Sequence, residues 1–118
     1  MDKVYYSRMH PSKHSSKRIK QRAGGKTKKK RSKFVHGVFQ KGLMLRDIPK
    51  RAELLPFIDY MRRQVAIVKS KNPFNNLYLY KDNFVIVSLT GTIITVLNID
   101  KEYKGYYNLI YQYINDEL

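Results

Sequence analysis

Between Asn76 and Asn98 the chain reads NLYLYKDNFVIVSLTGTIITVLN, three runs of branched and aromatic residues parted by two short breaks, Asp82-Asn83 and Thr90-Gly91. Runs of this length and composition suit strands rather than helices, and both breaks hold residues that accept tight hairpins. A three-stranded antiparallel meander is therefore expected. Only one face of such a sheet has to be covered by helices, yet the near-continuous apolar character of FVIVSL implies a middle strand buried on both sides.

The covering elements are sought upstream. Leu54, Ile58, Met61, Val65 and Val68 recur at three- and four-residue steps, which predicts a helix from about Arg51 to Lys69 with Pro56 tolerated in its first turn. Phe34, Val35, Val38 and Phe39 predict another from about Thr27 to Lys41, with Gly42 as its stop and LMLRDIPKR as a connection. Ser12 can cap a first helix from Lys13 to Ala23, ended by Gly24-Gly25. Only Ile19 and Ala23 on that helix can pack, so it must dock on something to persist. Residues 1 to 11 show no period and read as an irregular arm with Tyr5 and Tyr6 as anchors. YYNLIYQYIND suits a short helix or an extra strand, the helix being preferred. The expected fold class is α+β: N-terminal helices, a three-stranded antiparallel β-meander and a C-terminal helix. A chain of 118 residues can bury one modest core, so a single domain over 1–118 is expected.

Charge divides the chain differently. Residues 1–51 hold 17 Lys/Arg against Asp2 and Asp47, while residues 52–118 hold seven of each sign, so the whole net charge of +15 lies in the first part. This predicts a basic, nucleic-acid-facing part at 12–51 joined to a neutral scaffold at 52–118. The partner such charge suggests is a polyanion, RNA first and DNA second, ahead of an anionic membrane surface. No apolar run is long enough to span a bilayer and no secretory signal is visible, so a cytoplasmic protein without a membrane partner is expected. The absence of cysteine excludes disulfides and thiolate zinc sites. The nine carboxylates are scattered, so neither a metal nor another cofactor is expected.

The densest charge lies in HSSKRIKQRAGGKTKKKRSK, His14 to Lys33, with ten Lys/Arg and no carboxylate. Lys13, Lys17, Lys20, Lys26, Lys28, Lys29, Lys30, Arg31 and Lys33 are candidate phosphate contacts. Six such contacts would give a log-affinity against log-salt slope of about −4 on a single strand. Positive charge at a helix start opposes the helix dipole, and a phosphate partner would offset that cost. His14, Arg18 and Arg22 are spaced by four, so on a helix they stand in one row and two of them can reach one phosphate. Cleavage of RNA by its own 2′-hydroxyl needs a proton acceptor, a proton donor and fixed positive charge, which histidine and arginine supply. The same spacing also arises by chance in a lysine-rich helix, with His14 a passenger. His10 and His36 are further candidates for proton transfer, His36 being better read as a surface or core-edge residue. Tyr78 and Tyr80 alternate on one strand face and could stack bases, or could cover the core edge. Tyr103, Tyr106, Tyr107, Tyr111 and Tyr113 read as packing or as a protein interface.

HSSKRIKQRAG, then FQKGL closing a helix, then the meander ending in Ile-Thr-Val resemble a group of small phage and bacterial proteins. Their layout is similar to that of the ribonuclease superfamily grouping barnase, EndoU, tRNA-cutting colicins and RelE-type toxins. The resemblance covers roughly residues 12–98. It implies active-site roles for His14, Arg18 and Arg22, and for Thr95 on the last strand; the KTKKKRSK stretch departs from the pattern and favours binding. Two functions are thus expected to compete: an RNA-binding protein with metal-independent endoribonuclease activity, and a non-enzymatic phage or mobile-element protein that binds and blocks a host polymerase, ribosome or CRISPR effector.

Overall fold

The computed structural model describes residues 10–11 and 28–117, and side chains from residue 32 onward; elements are numbered among these. The meander forms as read: β2 (Asn76–Tyr80), β3 (Asn83–Val87) and β4 (Thr92–Asn98) pair antiparallel in sequence order. A two-residue strand, β1 (His10–Pro11), adds itself parallel to the outer edge of β4, with His10 opposite Thr92 and Pro11 opposite Ile93. Nothing in the irregular start signals this pairing, since two residues carry no period. A proline is admissible there because an edge strand has one side free of ladder bonds.

The first turn sits one residue earlier than the sequence suggests. Tyr80 pairs with Asn83, so the two-residue loop is Lys81-Asp82, and Asn83 is a buried strand residue rather than part of the turn. Lys81 has φ 53, a left-handed backbone that costs a side-chain-bearing residue about 1 kcal/mol. The second turn is as predicted: Gly91 has φ 87 and its N–H reaches the Ser88 carbonyl at 3.0 Å. One irregularity matters for packing. The register steps from Ile86↔Thr95 to Val87↔Ile93, so Ile94 is an extra residue on β4. That bulge lets Ile93 and Val96, three apart, both be fully buried, which strict alternation forbids.

Among the described residues, three α-helices cover the sheet: α1 (Lys28–Lys41), α2 (Leu55–Lys71) and α3 (Tyr106–Asp116). They lie on both faces, not one. Phe84, on one face of β3, meets Phe57 and Tyr60 of α2 at ring distances of 6.4 and 5.6 Å. Tyr80, which points to the opposite face by alternation, meets Phe34 of α1 at 5.4 Å and Tyr107 of α3 at 5.8 Å. Hence β2 and β3 are buried on both sides, as the apolar middle run implied. The α2 helix buries Phe57, Ile58, Tyr60, Met61 and Val68, and a short 3-10 turn at Ala52–Leu54 leads into it. The final segment forms a helix and closes one end of the sheet. Tyr103 stacks on Tyr60 at 4.2 Å, Tyr106 stacks on Phe57 at 5.2 Å, and Ile110 is fully buried.

The exit of α1 is fixed by close approach rather than by a left-handed glycine. Gly42 donates to the Val38 carbonyl at 2.9 Å, and a β-carbon on it would lie 2.5 Å from that same oxygen. The next residue, Leu43, exchanges backbone hydrogen bonds of 2.8 and 2.7 Å with Leu79, which occupies part of the free edge of β2.

Candidate nucleic-acid interface

Helix α1 carries most of the described charge of the basic half, and its docking is narrow. Val38 is 1% exposed, Phe34 sets its edge on Tyr80, and Gly37 lies so close to the Tyr80 hydroxyl that any β-carbon there would overlap it. A 14-residue helix is marginal in isolation, and burying one valine contributes about 1.5 kcal/mol or more. The glycine is what permits this approach, because it lets helix backbone rest on a tyrosine ring. Lys28, Lys29, Lys30 and Arg31 form the first turn, which contains no acidic residue. Lys33 follows, exposed.

Several of the sequence candidates lie outside the described residues: Lys13, His14, Lys17, Arg18, Lys20, Arg22 and Lys26. The chain on either side of them is described. Residues 10–11 are paired with β4, and α1 is described from Lys28 to Lys41.

Two candidates are corrected by their burial. Tyr78 and Tyr80 share a strand face as read, but they are 1% and 9% exposed, Tyr80 against Phe34 of α1 and Tyr107 of α3 and Tyr78 beside Gly42 at the exit of α1. Neither ring is a platform for a base; both are core residues. Thr95 is on β4, opposite Ile86, and its Oγ1 is buried with no hydrogen-bond partner. His36 is an exposed surface residue whose ring lies 6.1 Å from Phe39. Among the described residues no three His, Asp or Glu side chains gather where they could hold a metal ion, and no helix is long and apolar enough to cross a membrane.

The C-terminal tyrosines are engaged internally. Tyr107 and Tyr111, one helical turn apart, both donate to the Lys41 carbonyl, at 2.8 and 2.7 Å. They satisfy the last turn of α1 with hydroxyls from α3, and burial pushes both hydroxyls above the ordinary tyrosine range. Arg51 sits 4.6 Å over the Tyr113 ring and reaches Glu117 at 3.3 Å, so this member of the basic half faces α3.

A cleft that sequence reasoning missed lies beside these contacts. It has a volume of about 540 Å³, between the end of α1, the Lys81-Asp82 turn and the outer side of α3, and its lining includes Lys41, Lys81, Asp82, Tyr107 and Asn108. A second hollow continues from it past Tyr111 and Gln112. Its one sequence signal was a lysine in a turn position where asparagine or glycine is cheaper. No family model matches this chain, and neither does any curated protein or solved structure.

Proposed function

We propose that this protein binds RNA through the basic part of its N-terminal half, with metal-independent endonucleolytic cleavage as the chemistry that surface would perform. The observation that supports it most is that a cationic run is carried on a docked helix: α1, whose first turn is Lys28-Lys29-Lys30-Arg31, packs on the sheet through Val38 and Gly37. Phosphate contacts of this kind position an RNA without reading its sequence. In the cleaving reading, His14 takes the proton from the attacking 2′-hydroxyl or gives one to the leaving oxygen, and Arg18 and Arg22 bear the charge of the phosphorane.

The rival reading, a blocker of a host nucleic-acid machine that binds through the lysine run and the C-terminal tyrosines, loses the tyrosine part of its surface to internal packing. Tyr103 and Tyr106 stack on Tyr60 and Phe57, Tyr107 and Tyr111 donate to the Lys41 carbonyl, and Arg51 covers the Tyr113 ring.

The test is incubation of the pure protein with total RNA in EDTA, followed by mapping of new ends. New termini carrying 2′,3′-cyclic phosphates, lost in His14→Ala while binding persists, are the expected result. Binding with no new ends removes the cleavage part and leaves an RNA-binding module; a stoichiometric host protein that co-purifies, with no RNA affinity, removes both.

A further inference from the structure

The cleft at the far end of α1 has a composition that the core does not explain. Lys41 and Lys81 are exposed on its rim, and Lys81 holds its place with a left-handed backbone, φ 53, although it bears a side chain. That φ is what a two-residue hairpin loop asks of its first residue, and it sets the Lys81 ammonium 5.4 Å over the Tyr80 ring at the cleft. Asn108 and Gln112 stand one helical turn apart on α3, both exposed, so their amides present donor and acceptor to whatever enters. Tyr111, half-buried, forms the wall between them. Among the described residues the one carboxylate lining the cleft is Asp82, whose Oδ1 already accepts from the Gly105 N–H at 3.1 Å; its other oxygen is an acceptor suited to a hydroxyl and hostile to a phosphate.

We propose that this cleft holds one unit of a single-stranded ribonucleotide chain, with phosphate against Lys41 and Lys81, base edge against Asn108 and Gln112, and ribose hydroxyl toward Asp82. The assignment rests on the RNA-binding reading above and says where the strand goes after the basic segment. Helix α1 links the two: its lysine-rich start and Lys41 are the ends of one 14-residue helix, about 20 Å long. A cleft of about 540 Å³ is large enough for one nucleotide, and a base whose edge meets Asn108 and Gln112 is not paired at the same time, so the occupant is a single strand. The hydroxyl of ribose is what distinguishes RNA from DNA at a given position, and the Asp82 carboxylate beside Lys81 is an acceptor that fits that role.

Anisotropy titrations of the full chain with a labelled ten-nucleotide oligouridylate test this. Lys41→Glu with Lys81→Glu should weaken binding at least tenfold and reduce the salt slope by about 0.7, the share of the one single-strand phosphate that both lysines contact. The deoxyuridine oligomer should bind more weakly than the ribo-oligomer, and Asp82→Ala should narrow that difference. Photocrosslinking with 4-thiouridine should label the 107–112 stretch, a readout that general charge effects do not move. Unchanged affinity in the double variant, with loss on removing Lys28, Lys29 and Lys30, overturns the cleft and leaves the RNA-binding reading intact. Equal binding of ribo- and deoxy-oligomers overturns the ribose contact. Absence of any binding by the parent protein at low salt overturns both.

Discussion

Helices α1 and α2 cover opposite faces of the same sheet, and they do so by different means. The α2 helix buries five large side chains and carries a mixed outer face, with Arg62 paired to Asp59 at 3.4 Å. The α1 helix has one side chain that is fully buried, Val38, and settles by placing Gly37 on a tyrosine; its first turn is wholly cationic apart from the backbone. Broad apolar burial makes a scaffold. Narrow burial with a cationic first turn, at the end of the helix dipole that disfavours positive charge, makes a poor scaffold. The contrast gives α2 the larger share of folding, and the proposal gives α1 the recognition.

The strongest way to break that division is to damage the scaffold. Phe57 is fully buried and touches Phe84, Tyr60, Tyr103 and Tyr106. Phe57→Ala is expected to cost about 3–5 kcal/mol in urea unfolding, because the cavity is ringed by aromatic groups that cannot collapse into it. On the other face, Gly37→Ala is expected to cost about 1–3 kcal/mol by overpacking. Combining it with Tyr80→Phe should recover part of that loss, since the hydroxyl oxygen is the nearest atom to the new methyl. Additive costs in that pair would mean that α1 does not rest on Tyr80.

Smaller effects sharpen the picture. Tyr107→Phe removes one of the two donors to the Lys41 carbonyl and is expected to cost about 1 kcal/mol. Burial raises the native Tyr107 hydroxyl above the unfolded value of about 10, so the folded protein keeps its proton longer. Stability from this group is full below pH ~10 and falls as pH rises beyond it; the Tyr107→Phe protein should lose less over the same interval. The smallest change in stability belongs to Lys28, Lys29 and Lys30 replaced together by serine. Thermal unfolding should be unchanged or stabilised by a few tenths of a kcal/mol, as repulsion from the helix dipole is relieved, while nucleic-acid affinity falls.

Much of the architecture could be read from the residues. The turns at Lys81-Asp82 and Thr90-Gly91 were located to within one residue, and the helical periods of Phe34–Phe39 and Leu54–Val68 found α1 and α2, because long amphipathic patterns carry their own register. The misses have physical causes. A two-residue strand such as His10–Pro11 has no pattern to detect, and the β4 bulge that buries both Ile93 and Val96 is set by cross-strand packing rather than by local sequence. Alternation placed Tyr78 and Tyr80 on one face but did not reveal that α1 and α3 lie over it, so rings that looked available are interior. The trio His14, Arg18 and Arg22 lies outside the described residues. The Lys41–Lys81 cleft unites residues 40 positions apart in sequence, and only the tertiary fold brings them together.

The central claim, that a folded cationic surface grips an RNA backbone, is tested most directly by measuring affinity for a single-stranded RNA as a function of salt, in the parent and in the Lys28/Lys29/Lys30→Ser protein. The account predicts a log–log slope of about −4 for the parent, shallower by about 2 in the variant, with folding unaffected. No measurable affinity at low salt, or a slope that the three substitutions leave unchanged, would contradict it.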